Sequence, residues 1–156
     1  MKKKIIILGI ILLFVDLITK YLIDINFNLI ETKELIVNFF SITKVYNYGA
    51  SWNLLSGYRI LLILITLVIL VFLYYYESKF IVNKRNIIAF SLLYSGIIGN
   101  LINRVFQGYI IDFLDFNIFG YDYPVFNFAD IYIVCGIFLL IIAILKKEDV
   151  NENSSR

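Results

Sequence analysis

Four uninterrupted apolar stretches, each close to the length that crosses a lipid bilayer, constrain this chain of 156 residues more than any other feature. A helix needs about 20 predominantly apolar residues to cross roughly 30 Å of hydrocarbon. We therefore predict a mainly α-helical, polytopic membrane protein with four transmembrane helices, over residues 5–23, 60–76, 87–103 and 128–145. We expect one membrane-embedded domain, residues 1–147, followed by a polar cytoplasmic tail, residues 148–156.

The positions of lysine and arginine give the four spans a direction, because basic residues flank membrane spans on the cytoplasmic side. They precede the first span, separate the second from the third and follow the fourth: Lys2, Lys3, Lys4, Lys79, Lys84, Arg85, Lys146 and Lys147. The connection 24–59 carries mixed charges, and the connection 105–127 carries no lysine or arginine. Both termini are therefore predicted to be cytoplasmic, and the two long connections face outward.

The two outward connections contain β-branched and aromatic runs, which favour strands over helix. These runs are residues 39–46 and 109–114, and the turn residues Gly57, Gly120 and Pro124 lie outside them. A small extracytoplasmic sheet at the outer membrane surface is the expected structure.

The composition restricts the chemistry that such a protein can carry out. The chain has no histidine and a single cysteine, Cys135. These counts exclude Ser-His and Cys-His nucleophile pairs, zinc sites built from His and Cys, haem ligation through His and an internal disulfide. Acid and base catalysis would have to use Asp, Glu, Lys or Tyr.

Polar side chains within or beside the spans converge on one depth near the outer surface. Ionisable groups inside a membrane are costly and are candidates for function. Asp16 and Lys20 share one helical face because they are four residues apart, and Asp130 begins the last span with no basic residue nearby in sequence. The whole set comprises Asp16, Lys20, Asn100, Asn103, Arg104, Asp112 and Asp130.

Two carboxylates at one site suggest a hydrolase. One carboxyl can keep its proton while the other acts as a base on a water molecule that attacks an amide, and Asp112 and Asp130 are the candidates. A structural interpretation fits some of the same residues. Asp16 and Lys20 could be a neutralising pair, and the polar groups that end the third span could bond helix to helix.

Three other classes of protein remain open at this point. A small transporter or proton-coupled channel could use a relay of Asp16, Lys20, Arg104 and Asp130. A membrane scaffold without enzymatic activity would give no reason for the grouping of acids. A Ser-Lys hydrolase could use Ser51 or Ser56 with Lys20, although neither serine has an activating partner evident from the sequence.

Five short motifs occur in a recognisable order along the chain. They are DLITK at 16–20, NYGASW at 47–52, GNLINR at 99–104, IDFLDF at 111–116 and FNFAD at 126–130. In this order, on a chain with four spans, they resemble the lipoprotein signal peptidase family, also called signal peptidase II. That family is a group of bacterial aspartic proteases of the cytoplasmic membrane. Each motif is weak alone, but five in register are specific.

The resemblance implies a cut on the amino-terminal side of a diacylglyceryl-modified cysteine in a prolipoprotein, without cofactor or metal. It implies that Asp112 and Asp130 are the catalytic dyad. The residues that would hold the substrate and orient the two acids are Asn47, Asn100, Arg104 and Asn127. Asp16 and Lys20 would have a largely structural role.

The fold implied by the resemblance has four helices, a small outer β cradle and a short interfacial helix, which we place at residues 51–56. We expect lipid-modified prolipoproteins and membrane lipids as partners, no nucleic acid, and a monomer in the bacterial cytoplasmic membrane with its active site near the outer face. One departure is visible: the third-span motif usually has an aspartate where this chain has Asn103. That change removes a possible ion-pair partner for Arg104.

Overall fold

The computed structural model describes residues 1–50 and 54–148. Within them, four α-helices and four short strands follow one another as helix, two strands, two helices, two strands and helix. The helices are α1 (Lys2–Asn26), α2 (Arg59–Glu77), α3 (Lys84–Phe106) and α4 (Phe128–Leu145). The strands are β1 (Thr32–Ile36), β2 (Phe40–Asn47), β3 (Ile110–Ile118) and β4 (Tyr121–Asp122).

Each of the four predicted spans is a helix, and in the described part of the chain all four are long and apolar enough to cross a membrane. The predicted limits of α4 agree with the structure, whereas α1 and α3 extend about three residues beyond the apolar stretches at both ends. An apolar stretch marks the part of a helix that hydrocarbon can cover, and backbone hydrogen bonding continues past it. At the start of α3, for example, the Asn83 side chain accepts a hydrogen bond from the backbone N–H of Asn86.

The third helix, α3, is the centre of the bundle because it packs against all three other helices. Small residues allow the close approach. A Cβ atom added to Gly96 would overlap the carbonyl oxygen of Ala129 on α4, so only glycine fits there. Close packing through small residues is the usual way in which helices associate in membranes. Many apolar side chains of α1, α2 and α4 point outward, where lipid would cover them.

The strands form one antiparallel sheet of order β1-β2-β3-β4 at the end of the bundle where α1 and α3 finish. The two predicted strands are confirmed as β2 and β3, and the fold class is confirmed with them. Val45 lies opposite Asp112 and Asn47 opposite Ile110, so β2 and β3 tie the two long connections together. Strands β1 and β4 were not predicted. Both are short, and all their residues are exposed, so no alternation of buried and exposed positions marks them.

Lys44 anchors this sheet to the first helix. Its side chain is 5% exposed, and its ammonium donates hydrogen bonds to the carbonyl oxygens of Asp24 at 2.7 Å and Phe27 at 2.9 Å. These carbonyls lie at the carboxyl end of α1, where a cation satisfies free oxygens and the negative end of the helix dipole.

Two predicted segments lie partly outside the residues that the structure describes. The helix expected over 51–56 includes residues 51–53, which the structure does not describe, and residues 54–57 form a turn in which Leu55 has a φ of 56°. A positive φ is incompatible with a right-handed helix. Of the predicted tail 148–156, only Glu148 is described. It pairs with Arg85 and accepts a hydrogen bond from the Asn83 side chain.

Candidate active site

Asp112 is buried in β3 at the junction between the sheet and the helices. Only 3% of it is exposed, and each of its carboxyl oxygens accepts a hydrogen bond from an asparagine amide. Asn47 donates to Oδ2 at 3.0 Å, and Asn127 donates to Oδ1 at 2.6 Å. Asn47 reaches Asp112 because β2 pairs with β3, and Asn127 reaches it from the beginning of α4.

Asp130 lies in the first turn of α4, within a reciprocal capping arrangement. The Asn127 side-chain oxygen accepts from the backbone N–H of Asp130, and Asp130 Oδ2 accepts from the backbone N–H of Asn127, both at 3.1 Å. This pairing satisfies two N–H groups that the start of a helix leaves free. The positive end of the helix dipole also favours a negative charge at this position.

Asn100 on α3 connects the two aspartates with the first helix. Its Nδ2 donates to Asp130 Oδ1 at 2.9 Å. Its Oδ1 accepts from Lys20 at 2.8 Å and, at 3.3 Å, from the amide of Asn127 that also serves Asp112. Asp112 and Asp130 are thus joined through two buried amides.

Burial, with a smaller contribution from the charge of Asp130, raises the pKa of the Asp112 carboxyl to about 7. The hydrogen bonds from Asn47 and Asn127 and the positive charge of Lys20 act the other way. Desolvation disfavours the charged form of an acid, and a second carboxylate nearby adds to that effect. Near neutral pH, the Asp112 carboxyl can therefore hold a proton.

Asp16 and Lys20 form an ion pair of 2.8 Å inside the helix bundle, with side-chain exposures of 0% and 1%. Asp16 Oδ1 also accepts from the backbone N–H of Ala129 at 2.9 Å. Gly99 makes room for this pair, because an added Cβ there would overlap Asp16 Oδ2. The neutralising pair that we considered from the sequence is therefore present, and it contacts α3 and α4 as well.

Arg104 lies at the end of α3 and holds the segment that follows β2. Its Nη2 donates to the carbonyl oxygen of Gly49 at 2.7 Å, and the N–H of Gly49 in turn donates to Asn47 Oδ1 at 2.9 Å. The Asn103 side chain donates to Gln107 Oε1 at 2.9 Å and takes no part in the contacts between Arg104, Gly49 and Asn47. Among the described residues, Asn103 Oδ1 and Arg104 Nε are buried atoms without a hydrogen-bond partner.

A groove with a volume of about 440 Å³ opens between α2, α3 and α4. Asn100 and Arg104 lie at its polar end. The rest of its lining is apolar apart from one threonine: Thr66, Ile69, Leu73, Leu93, Ile97, Ile133, Ile137, Leu140, Ile141 and Ile144. In residues 1–50 and 54–148, no group of three or more Cys, Asp or Glu side chains is arranged to hold a metal ion.

Comparison with known proteins identifies the family. A sequence model described as "Signal peptidase (SPase) II" matches residues 8–146. The chain belongs to the signal peptidase II family. It is 40% identical to a lipoprotein signal peptidase of Staphylococcus haemolyticus (strain JCSC1435), over 94% of this chain and 93% of the relative. It is 41% identical to a lipoprotein signal peptidase of Staphylococcus aureus (strain MRSA252), over 90% of this chain and 87% of the relative.

Two solved structures have the same fold. One is described as "Bacterial membrane enzyme structure by the in meso method at 2.3 A resolution" and superposes with a TM-score of 0.80, at 38% identity, over 91% of this chain and 87% of that chain. The other, described in the same words at 1.9 A resolution, has a TM-score of 0.78 at 38% identity, over 91% of this chain and 92% of that chain.

Membership of the signal peptidase II family decides between the classes left open by the sequence. The family consists of proteases that remove signal peptides from prolipoproteins. The predicted resemblance is confirmed, and the protein is a multi-pass membrane protein. Membership of this protease family sets the transporter, scaffold and Ser-Lys hydrolase alternatives aside. Among the described residues, the Lys20 ammonium donates to Asp16 and Asn100.

The structure brings together the residues predicted for the site except Asn103, which bonds to Gln107. Several contacts between the others were not foreseen. The bond from Lys20 to Asn100 and the bond from Ala129 N–H to Asp16 join distant parts of the chain, and no local pattern announces them. The capping pair of Asn127 and Asp130 did have a signal, since Asn-x-x-Asp before an apolar run matches the start of a helix.

Proposed function

We propose that this protein is an aspartic endopeptidase. It removes the signal peptide of a prolipoprotein by cutting on the amino-terminal side of the diacylglyceryl-modified cysteine. Asp112 and Asp130 act on a water molecule as the catalytic dyad. The observation that carries the proposal is the Asn127 side chain, which bonds to the Asp112 carboxyl at 2.6 Å and to the backbone N–H of Asp130 at 3.1 Å.

The surroundings of the two acids support different roles for them. Asp112 is buried, and its pKa is raised to about 7 because its carboxyl is desolvated and lies near the charge of Asp130. It is the acid that holds the proton. Asp130 is half-buried, lies in the first turn of α4 and accepts hydrogen bonds from Asn100 and from the backbone N–H of Asn127. It is the base.

The reaction then follows from the positions of one proton and one charge. Asp130 takes a proton from water while the water oxygen attacks the carbonyl carbon of the scissile amide, and Asp112 gives its proton to the carbonyl oxygen. The product of this step is a neutral tetrahedral diol. Asp130 then protonates the nitrogen of the modified cysteine, Asp112 recovers a proton from a diol hydroxyl, and the carbon–nitrogen bond breaks.

The groove between α2, α3 and α4 supports a path for the substrate. Its apolar lining suits the hydrophobic signal helix, and its polar end, formed by Asn100 and Arg104, leads to the two aspartates. Asn47, Asn100, Arg104 and Asn127 hold the substrate backbone and orient the acids. Membrane lipids cover the outward apolar faces of the helices, so a diacylglyceryl group can reach the site within the bilayer.

Topology and assembly complete the proposal. Both termini lie in the cytoplasm, since eight basic residues, from Lys2 to Lys147, flank the ends of the helices away from the sheet. The sheet and the dyad lie near the outer face of the bacterial cytoplasmic membrane. Residues 1–147 act as one peptidase domain, and the protein works as a monomer. No cofactor takes part in this mechanism, which uses carboxyl groups alone.

The test is cleavage by the purified protein in lipid nanodiscs. A prolipoprotein carrying the diacylglyceryl group and the same protein without it are compared as substrates. We expect cleavage of the modified form only, at the bond preceding the modified cysteine. Asp112→Asn and Asp130→Asn should each remain folded and lose about 100- to 10,000-fold in rate, the usual contribution of general acid or base catalysis.

Asp115→Asn is the matched control for the dyad. Asp115 lies on the same strand as Asp112, but its carboxyl accepts a hydrogen bond from Thr43, within the sheet, at 2.6 Å. We expect this variant to cleave at nearly the unsubstituted rate. Normal turnover by Asp112→Asn or by Asp130→Asn would contradict the dyad, and cleavage of the unmodified precursor at an equal rate would contradict the proposed substrate specificity.

A further inference from the structure

The Asp16–Lys20 pair contacts the Asn100 side chain, which holds Asp130, and the backbone of the residue that precedes Asp130. The Lys20 ammonium lies 2.8 Å from Asp16 Oδ2 and 2.8 Å from Asn100 Oδ1. Asp16 Oδ1 accepts from the N–H of Ala129, the residue before Asp130, at 2.9 Å. Asn100 in turn donates to the Asp130 carboxyl at 2.9 Å. The ion pair thus bonds to the side chain that donates to Asp130 and to the backbone next to it.

The ammonium determines which way the Asn100 amide faces. An ammonium can only donate hydrogen bonds, so it needs an oxygen beside it. With Asn100 Oδ1 held at Lys20, Nδ2 has to point towards Asp130. A rotation of the amide by half a turn would place two donors against each other at Lys20 and an oxygen against the Asp130 carboxylate.

Stability alone gives little reason for a buried pair of charges in this place. Replacing a buried ion pair by apolar residues of similar size is often neutral or stabilising, and ionisable groups within membrane spans commonly serve function. The charged groups that interact with Lys20 are Asp16 on its own helix, Asp112 on β3 and Asp130 on α4. Arg104 on α3 is a second cation that interacts with Asp112 and Asp130.

We propose that Lys20 is a positioning residue for the reaction. Through Asn100 it fixes the donor that holds Asp130, and together with Asp16 it sets the local electric field at the two aspartates. This inference rests on the proposed dyad. It assigns a role in the reaction to a pair that a structural interpretation would treat only as a stabiliser of the helix bundle.

Three variants test it in lipid nanodiscs with the lipid-modified prolipoprotein. Lys20→Met removes the charge and the hydrogen bond to Asn100, and Asp16→Asn removes the negative charge. The double variant, Asp16→Asn with Lys20→Met, leaves no unpaired charge in the bundle. Rates, KM, pH profiles and thermal unfolding are measured for each variant.

We expect kcat of Lys20→Met and of the double variant to fall about 10- to 100-fold with little change in KM, the loss that corresponds to one charge-assisted hydrogen bond. The pH profile of Lys20→Met should move to higher pH, because the aspartates bind protons more tightly without a nearby cation. The profile of Asp16→Asn should move to lower pH, because the ammonium is then unopposed. In the double variant, the two shifts should largely cancel.

Ser91→Ala is the matched structural control. The buried Ser91 hydroxyl bonds to the Ile5 carbonyl oxygen at 3.3 Å, so it also links α3 to α1 but lies far along the helices from the dyad. It should keep kcat and the pH profile whatever its effect on stability. Lys20→Arg retains the positive charge and should keep the pH profile of the unsubstituted protein. It tests the role of the charge even if Lys20→Met and the double variant fail to fold.

The outcomes separate this proposal from the proposed function. Activity in Asp112→Asn would contradict the dyad itself. If that variant is inactive and folded Lys20→Met retains the kcat and the pH profile of the unsubstituted protein, only the positioning role is wrong. The positioning role would also be wrong if the pH profiles of Lys20→Met and Asp16→Asn moved in the same direction. A displaced pH profile in Lys20→Arg would contradict it as well.

Discussion

The side-chain amide of Asn127 donates to Asp112 Oδ1 at 2.6 Å, across the boundary between the sheet and the helix bundle. The same side chain caps α4, since its oxygen accepts from the backbone N–H of Asp130 at 3.1 Å. One buried asparagine therefore fixes the start of a membrane helix and joins the two carboxyl groups of the proposed dyad. These two roles can be separated by mutation.

Asn127→Ser should separate the cap from the link to Asp112. Serine caps helices about as well as asparagine, so thermal unfolding should change little, whereas Asn127→Ala should cost about 1 kcal/mol. Serine is too short to bond to Asp112 as the amide does, so both variants should lose about 10- to 100-fold in kcat. Equal unfolding temperatures for the serine and alanine variants would show that the cap contributes little. An active Asn127→Ser would show that the link is dispensable.

The rate should fall on the alkaline side of neutral pH. The proposed mechanism needs a proton on Asp112. Burial and the charge of Asp130 together raise the pKa of this carboxyl to about 7. Above that pH, kcat/KM should decrease about tenfold per unit, as expected for loss of one essential proton. Asp115→Asn should show the same alkaline limb. A rate that stays constant to pH 9 would contradict the assignment of the acid.

Stability should depend on pH through the same carboxyl. The pKa of Asp112 is raised above the ordinary value of 3.8, so its ionised form is disfavoured in the fold. Its unfavourable contribution therefore grows as the pH rises from about 4 to about 7 and is constant above that range. Asp112→Asn is neutral at every pH. The unfolding temperature of this variant minus that of the unsubstituted protein should therefore be larger at pH 8 than at pH 5. If this difference is the same at both pH values, burial is not the cause of the raised pKa.

Gly99→Ala should disturb the ion pair by sterics alone. An added Cβ at Gly99 would overlap Oδ2 of the fully buried Asp16 side chain, which Lys20 holds at 2.8 Å. Overpacking of this kind costs about 1–3 kcal/mol, and kcat should fall as Asp16 shifts. Gly9→Ala on α1 is the control, because its Cβ would lie at an ordinary 3.7 Å from the Ser91 carbonyl oxygen. Equal unfolding temperatures for the two variants would show that this packing is not tight.

Filling the groove between α2, α3 and α4 should weaken substrate binding. Ile137 lines the groove, and Ile137→Trp should raise KM about tenfold, equivalent to about 1.4 kcal/mol of binding energy, with little change in kcat. Ile11→Trp on the outward face of α1, where Ile11 is 55% exposed, is the control and should leave KM unchanged. A KM that rises equally in both variants would indicate a general effect on the membrane environment.

Local patterns were enough to predict the four helices and the two longer strands, β2 and β3. The length of an apolar run is a property of consecutive residues, and so is the β-branched and aromatic character of residues 39–46 and 109–114. The ends of the helices were less predictable, because hydrogen bonding continues beyond the hydrocarbon-facing part. Strands β1 and β4 could not be found this way, since an exposed strand needs no apolar face and is stabilised by its neighbour in the sheet.

The sequence by itself determined four membrane-spanning helices, an additional small sheet, an acid and base chemistry without histidine, and the set of polar residues near one end of the spans. Only the tertiary structure decided which of those residues touch. Lys20 and Asn100 lie 80 positions apart, and Asp16 and Ala129 lie 113 positions apart. Such contacts depend on helix packing and on the pairing of β2 with β3, which sum many weak interactions along the chain, so no local pattern encodes them.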